Sequence, residues 1–270
     1  MINVLNVDDY DLEEARELVA AFGCERYGYI VTPNVDHVIR HHDDAQFRRL
    51  YSHAAYVLLD SRFLARIFAV AKRQSLRVCK GSDLTASVFC SVIQPQDVAV
   101  LVGASAEQAQ ELRARFGLES LHHVNPPMNF IGDADAVEAC LRDIEAASPF
   151  RFCFLAIGTP QQEIIAHKLQ ERGTARGLAL CIGASINFMT GKEQRAPRWM
   201  QESGTEWLFR LLTNPWRMAK RYLVRGPRIF FLLRQTQLRS RRGMGIIGNT
   251  EINRAATPAT GMITRQSQVL

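Results

Sequence analysis

The stretch 151-RFCFLAIGTPQQEIIAHKLQERGTARGLALCIGAS-185 reads as strand, helix and strand in one pass. RFCFLAIGTP (151–160) is a short apolar run closed by Gly and Pro. QEIIAHKLQERG carries its apolar residues at helical spacing and stops on Gly173. LALCIGAS (178–185) is apolar again, and again ends at a glycine. Continuous apolar strands joined by an amphipathic helix are the mark of a parallel βαβ unit whose sheet is covered on both faces.

Working outward, the same pattern recurs. YGYIVTP (27–33) is read as a strand, with a helix across Asp36–His53. AAYVLLD (54–60) is a second strand, followed by a helix at FLARIFAVAKRQ (63–74). VAVLVGAS (98–105) is a third, followed by AEQAQELRARFG. Residues 1–194 are therefore expected to form one Rossmann-like α/β core with helices on both faces of a parallel sheet. No internal repeat is visible.

Beyond residue 194 the character changes. Residues 195–242 hold twelve Arg or Lys against Glu202 and Glu206, a local +10 in a chain of net +6, so the body is acidic. Trp207, Leu208, Leu211, Leu212, Trp216, Tyr222, Leu223, Ile229, Phe230 and Leu233 interleave with these cations at helical spacing, with breaks at Pro215 and Pro227. A basic amphipathic helical appendage is expected over 195–242, and a disordered tail over 243–270. Such an appendage suits a polyanion: nucleic acid, an anionic membrane surface or a phosphorylated substrate. No apolar run reaches the roughly 18–20 residues that span a bilayer, and MINVLNVDDYDLEEA lacks a signal-peptide core. Six scattered cysteines with no C-x-x-C pair fit reduced thiols. A cytoplasmic protein is the expectation.

In parallel sheets ligands gather at the carboxyl ends of the strands. There this sequence places Thr32-Pro33-Asn34, Asp60-Ser61-Arg62, Gly103-Ala104-Ser105, Gly158-Thr159-Pro160-Gln161-Gln162-Glu163 and Gly183-Ala184-Ser185. Glycines at these turns admit close backbone approach, and the following helix starts favour phosphate. A glycine at one such turn is ordinary turn geometry; five such turns on one edge point to a nucleotide or nucleotide-sugar site. None of these turns carries the glycine signature of a P-loop or dinucleotide enzyme, which weakens nucleotide hydrolysis and dehydrogenase chemistry. Asp133-Ala-Asp135 has a metal-site spacing, but an acidic helix start is the better account. His41-His42 and His122-His123 are read as solvated surface pairs. Asp60 closes a very apolar run and is expected at the site, with capping of the next helix as the alternative.

Taken together, T-P-N-x-x-H (Thr32 to His37), the strand ending in Asp60, G-S-D-L (Gly81 to Leu84), G-x-P-x-Q-E (Gly158 to Glu163), G-A-S-x-x-F-x-x-G-x-x-x-R-A-P-x-W-M (Gly183 to Met200) and E-W-L-x-R-L-x-x-x-P (Glu206 to Pro215) resemble the WecG/TagA/CpsF glycosyltransferases, glycosyltransferase family 26. The resemblance covers residues 25–235. It implies a Rossmann-like core with a carboxyl-terminal appendage that reaches the membrane and covers the site. It also implies metal-independent, inverting transfer from a UDP-sugar to a polyprenyl-diphosphate-linked sugar, on the inner membrane face, as a peripheral protein.

By position, Asp60 and Thr32 then resemble the catalytic pair, with Asn34 orienting. Lys80 (or Arg77), Gly103, Gly158, Gln162, Glu163, Ser185 and Asn187 are expected around the substrates. Arg210, Arg217 and Arg221 resemble the appendage arginines held to close over diphosphate. Two spellings depart from the common pattern: Ser61-Arg62 follows the aspartate where Gly is usual, and Asn187 stands where many members carry Asp. They look more like the xanthan-type exopolysaccharide branch and favour UDP-glucose over UDP-N-acetylmannosamine or UDP-glucuronate. Nucleic acid is not expected as a partner, and an oligomer is compatible with the sequence. A non-catalytic nucleotide-binding assembly subunit is the alternative of another class.

Overall fold

The computed structural model describes residues 3–241, 246–247 and 250–251, and only the backbone of the last four and of Arg217, Lys220, Arg221 and Tyr222. In chain order the elements are β1 (Asn3–Asp8), α1 (Leu12–Ala21), β2 (Tyr27–Val31), α2 (Val35–Asp43), α3 (Ala45–Ser52), β3 (Tyr56–Val57), α4 (Arg62–Lys72), α5 (Gly81–Ser91), β4 (Val98–Val102), α6 (Ala106–Phe116), β5 (Ser120–Val124), α7 (Ala134–Ala146), β6 (Phe152–Leu155), α8 (Gln161–Arg172), β7 (Gly177–Cys181) and α9 (Ser185–Met189). They continue as α10 (Arg198–Ser203), α11 (Glu206–Thr213), α12 (Pro215–Ala219), a π-helical turn over Lys220–Arg225, α13 (Arg228–Leu232) and β8 (Thr236–Arg241). Ile246–Ile247 and Thr250–Glu251 pair as a short antiparallel ribbon.

Six strands form a parallel sheet in the order β3-β2-β7-β6-β4-β5. Side chains alternate along each strand, so one sheet supplies two cores. Tyr29, Val31, Val100, Val102, Cys153, Leu155, Ala179 and Cys181 face one way, against Val38 of α2, Phe47 of α3, Leu64 of α4, Val137 of α7 and Ile165 of α8. Ile30, Ala99, Leu101, Phe152, Phe154, Leu178 and Leu180 face the other way, against Val19 of α1, Val88 of α5, Leu112 of α6 and Ile186 of α9. The parallel sheet flanked on both faces is as the apolar runs predict.

Several local expectations change. The helix predicted over 36–53 is two helices, broken at Asp44, whose side chain accepts from the Gln46 and Phe47 amides and so starts α3. His41 is buried rather than solvated: Nδ1 meets Asn3 Nδ2 at 3.0 Å, and burial pushes its pKa down to about 4. His123 Nε2 donates to the Gly103 carbonyl at 3.0 Å, whereas His122 is exposed on the edge strand β5. Asp133 caps α7 through the Asp135 and Ala136 amides, as its acidic helix start suggested.

The largest difference is at the chain's far end. The segment expected to be helical to 242 becomes β8 at Thr236, and pairs in parallel with β1, Leu238 opposite Leu5. Ile229, Leu232 and Leu238 are buried in the first core with Leu5 and Val7. Buried Asp8 ties three strands together, accepting from Val57 N–H at 2.8 Å and from Arg241 at 3.1 Å. Only the stretch between α10 and α13 is thus an excursion, returned to the core at both ends.

Candidate active site

The excursion closes a cavity of about 840 Å³ over the carboxyl ends of β3, β2, β7 and β6. Its floor includes Thr32, Asn34, Asp60, Lys80, Gly158, Gln162, Gly183 and Ser185. Its cover includes Gln201, Glu206, Trp207, Arg210, Met218 and Phe230. The size suits a small-molecule or nucleotide-type ligand.

Asp60 sits where the sheet runs out. Leu58 N–H still donates to the Val31 carbonyl and Asp60 N–H to the Pro33 carbonyl, each at 3.0 Å, while Cys79 N–H donates to Leu59 at 2.9 Å. The main chain that carries the carboxylate is therefore held on both sides. Its Oδ1 accepts from the Gly81 amide at 2.8 Å; among the described residues Oδ2 takes no hydrogen bond. A Cβ at Gly81 would lie 2.8 Å from Thr32 Oγ1, so only glycine brings this amide and the Thr32 hydroxyl together. Asp60 does not cap the next helix; Ser61 does, accepting from Leu64 N–H at 3.1 Å. Burial pushes the Asp60 pKa up to about 6, against the Gly81 hydrogen bond and the fields of Arg210 and Lys80, with Glu206 adding to the rise.

Two cations line the cavity with it. Lys80, the residue preceding α5, is only 7% exposed; its Nζ donates to Glu206 Oε2 at 2.9 Å and to Gln201 Oε1 at 3.3 Å. Arg210, one helical turn beyond Glu206, donates to its Oε1 at 2.8 Å and lies over the Phe188 ring at 5.2 Å. Burial acts to raise the Glu206 pKa, but Arg210 and Lys80 outweigh it and hold the carboxyl ionised.

A buried relay backs the β6 turn. The Asn34 amide donates to His37 Nδ1 at 3.0 Å, which leaves Nε2 to donate to Thr159 Oγ1 at 2.6 Å. Thr159 in turn donates to Glu163 Oε1 at 2.9 Å. Gln162 Nε2 donates to the same carboxylate at 3.0 Å, and Gln162 Oε1 accepts from Gly183 N–H at 2.9 Å. Gln162 thus braces two strand-end turns.

The structure brings Thr32, Asn34, Asp60, Lys80, Gly158, Gln162, Ser185 and Arg210 around one cavity. Other expected site residues stand elsewhere. Gly103 does not line it: φ is +83° and a Cβ would meet Ile157 Cγ2 at 2.8 Å, so the glycine answers a packing need. Glu163 lies behind the cavity wall, 1% exposed. Asn187 spans α6 and the cavity rim, accepting from Gln108 at 3.0 Å and donating to Glu193 at 3.2 Å. Arg77 pairs with Asp11, which caps α1, and with Glu14 in its first turn. The Arg217 and Arg221 side chains lie outside the described residues. Sequence reasoning gave no role to Glu206 or His37. Glu206 had a signal, its i,i+4 spacing to Arg210; His37 had the capping-box spacing to Asn34.

Against known proteins, the model of the Glycosyl transferase WecG/TagA/CpsF family matches residues 2–243. The chain belongs to that family and is a glycosyltransferase.

Proposed function

We propose that this glycosyltransferase moves a hexose from a UDP-sugar to a polyprenyl-diphosphate-linked sugar, with inversion and a β-linkage. Glucose as the donor sugar, a β-1,4 bond and a role in exopolysaccharide repeat-unit assembly are the favoured specifics. The carrying observation is Asp60. Its carboxylate is held by backbone at the rim of a covered cavity, beside Lys80 and Arg210, with a pKa pushed up to about 6. A base that takes a proton from an acceptor hydroxyl works best with a pKa near the working pH. Lys80 and Arg210 supply positive charge for the departing diphosphate, the work a metal performs in other enzymes; the proposed transfer needs no metal. Thr32, next to Gly81, is placed to help orient the reacting groups.

The excursion supports attachment to an anionic inner-membrane surface. Trp216 is 97% exposed and Phe231 81%, with Leu212, Leu223, Val224 and Phe230 also exposed, among basic residues. Aromatic and aliphatic side chains enter the interface while cations attract head groups, about 1 kcal/mol each. Among the described residues no helix is long and apolar enough to cross a membrane, so attachment would be peripheral. The glucose preference rests on Ser61-Arg62, since Arg62 lines the cavity while the Asn187 amide is engaged by Gln108 and Glu193.

The test is a panel of UDP-sugars offered to the full chain with a polyprenyl-diphosphate glucose acceptor, the products resolved by mass. The expected result is UDP release and a hexose-extended lipid with UDP-glucose only when both substrates are present. UDP binding without transfer to any such acceptor would favour the assembly-subunit reading instead.

A further inference from the structure

Lys80 and Glu206 come from different parts of the molecule, yet each is largely buried and each depends on the other. Lys80 belongs to the core and is 7% exposed; a buried ammonium is costly unless paired. Its Nζ donates to Glu206 Oε2 at 2.9 Å and to Gln201 Oε1 at 3.3 Å, both from the cover. Glu206 turns its other oxygen to Arg210 Nη2 at 2.8 Å. One carboxylate thus spans two cations, one oxygen apiece, at the wall of the cavity that also holds Asp60. This is how two oxygens of a phosphate would be held.

We propose that Glu206 is an internal counter-anion which a diphosphate bound at Lys80 and Arg210 must displace, so that this one carboxylate sets the affinity of the site for polyanions. The proposal rests on the reading that the cavity takes a diphosphate-bearing substrate. A diphosphate brings more charge and more acceptor oxygens than a carboxylate, and can displace Glu206 from both cations where a singly charged ligand gains nothing by the exchange. Displacement also unfastens α11 from Lys80, so ligand entry and the fit of the cover are linked through one ion pair.

The test uses the full chain with inorganic pyrophosphate and UDP as separate probes, binding measured by calorimetry at low ionic strength. Glu206→Gln keeps the shape and loses the charge; Glu206→Asp keeps the charge and shortens the reach. Pyrophosphate is expected to bind Glu206→Gln on the order of tenfold more tightly than the wild type, as loss of a competing charge at a shielded site implies. Glu206→Asp is expected to stay near the wild type. The gain in Glu206→Gln should vanish when Lys80→Gln is added. Equal affinity in Glu206→Gln and Glu206→Asp, or weaker binding in Glu206→Gln, overturns the proposal. Since both variants perturb the same position, a general loosening of the cover moves them together and is read as refutation. If pyrophosphate tightens on Glu206→Gln while UDP binds neither protein, the nucleotide reading fails and this inference stands. If UDP binds the wild type and Glu206→Gln gains for neither probe, the inference fails and the nucleotide reading stands.

Discussion

Asp60 carries its negative charge against the protein's own preference, and that has two consequences of opposite sign. Burial lifts its folded pKa from 3.8 to about 6, so between these values the folded chain holds a proton that the unfolded chain has released. Stability contributed by this group therefore falls as pH rises through that window, and the cost is fully present above pH 6. Asp60→Asn should stabilise the fold at pH 7.5 by about 1–3 kcal/mol, with no gain at pH 4; melting curves at the two pH values check it. Under the proposed role activity runs the other way, because a base must be ionised to accept a proton. Transfer should decline about tenfold per pH unit below about pH 6, read as kcat/KM against pH. Behind the cavity, Glu163 is 1% exposed and accepts from Thr159 and Gln162. Glu163→Ala removes the acceptor of buried Gln162 and partly buried Thr159 and should cost about 1–3 kcal/mol. At this scale the sequence showed the strand-end residues, since the end of an apolar run marks where a side chain leaves the sheet. It could not show that Gln162 and Asn187 spend their amides on neighbouring turns, because Gly183 and Gln108 meet them only in the folded chain.

The elements divide between those whose burial is written locally and those whose burial depends on a distant partner. β2, β4, β6 and β7 lie inside the sheet and are apolar almost throughout, so their runs stand out. β5, SLHHV, is an edge strand with His122 exposed, and its mixed composition hides it. The cover from α10 to α13 was legible as basic and aromatic, and its exposed face is the part that composition describes well. Its fastenings were not: Phe63 meets Phe230 edge-on at 6.3 Å, and Arg228 forks onto Asp43 at 2.8 and 3.0 Å. If the exposed aromatics enter a lipid interface, Trp216→Ser with Phe231→Ser should weaken binding to vesicles rich in anionic lipid by on the order of tenfold per residue or more, from the area each would bury. Co-sedimentation measures this, and UDP affinity should not change with it.

At the scale of the whole molecule, the first strand meets one from far along the chain. β1 and β8 are far apart in sequence and each is half polar, with burial alternating along both. Neither resembles a strand alone; pairing makes them one, and places Leu238, 2% exposed, in the core. Leu238→Ala should therefore cost about 2–5 kcal/mol, a loss visible in denaturant melts. Removing residues 196–241 should unfold the core, which needs Ile229, Leu232 and Leu238, rather than leave it intact. This closure returns the cover over the sheet edge and so holds Lys80, Glu206 and Arg210 beside Asp60. The most direct check is acceptor-dependent UDP release by Asp60→Ala, with UDP affinity measured on the same preparation. Turnover should fall by on the order of 10²–10⁴ while UDP binds within a few-fold of the wild type. Turnover within a few-fold of the wild type would contradict the role assigned to this carboxylate.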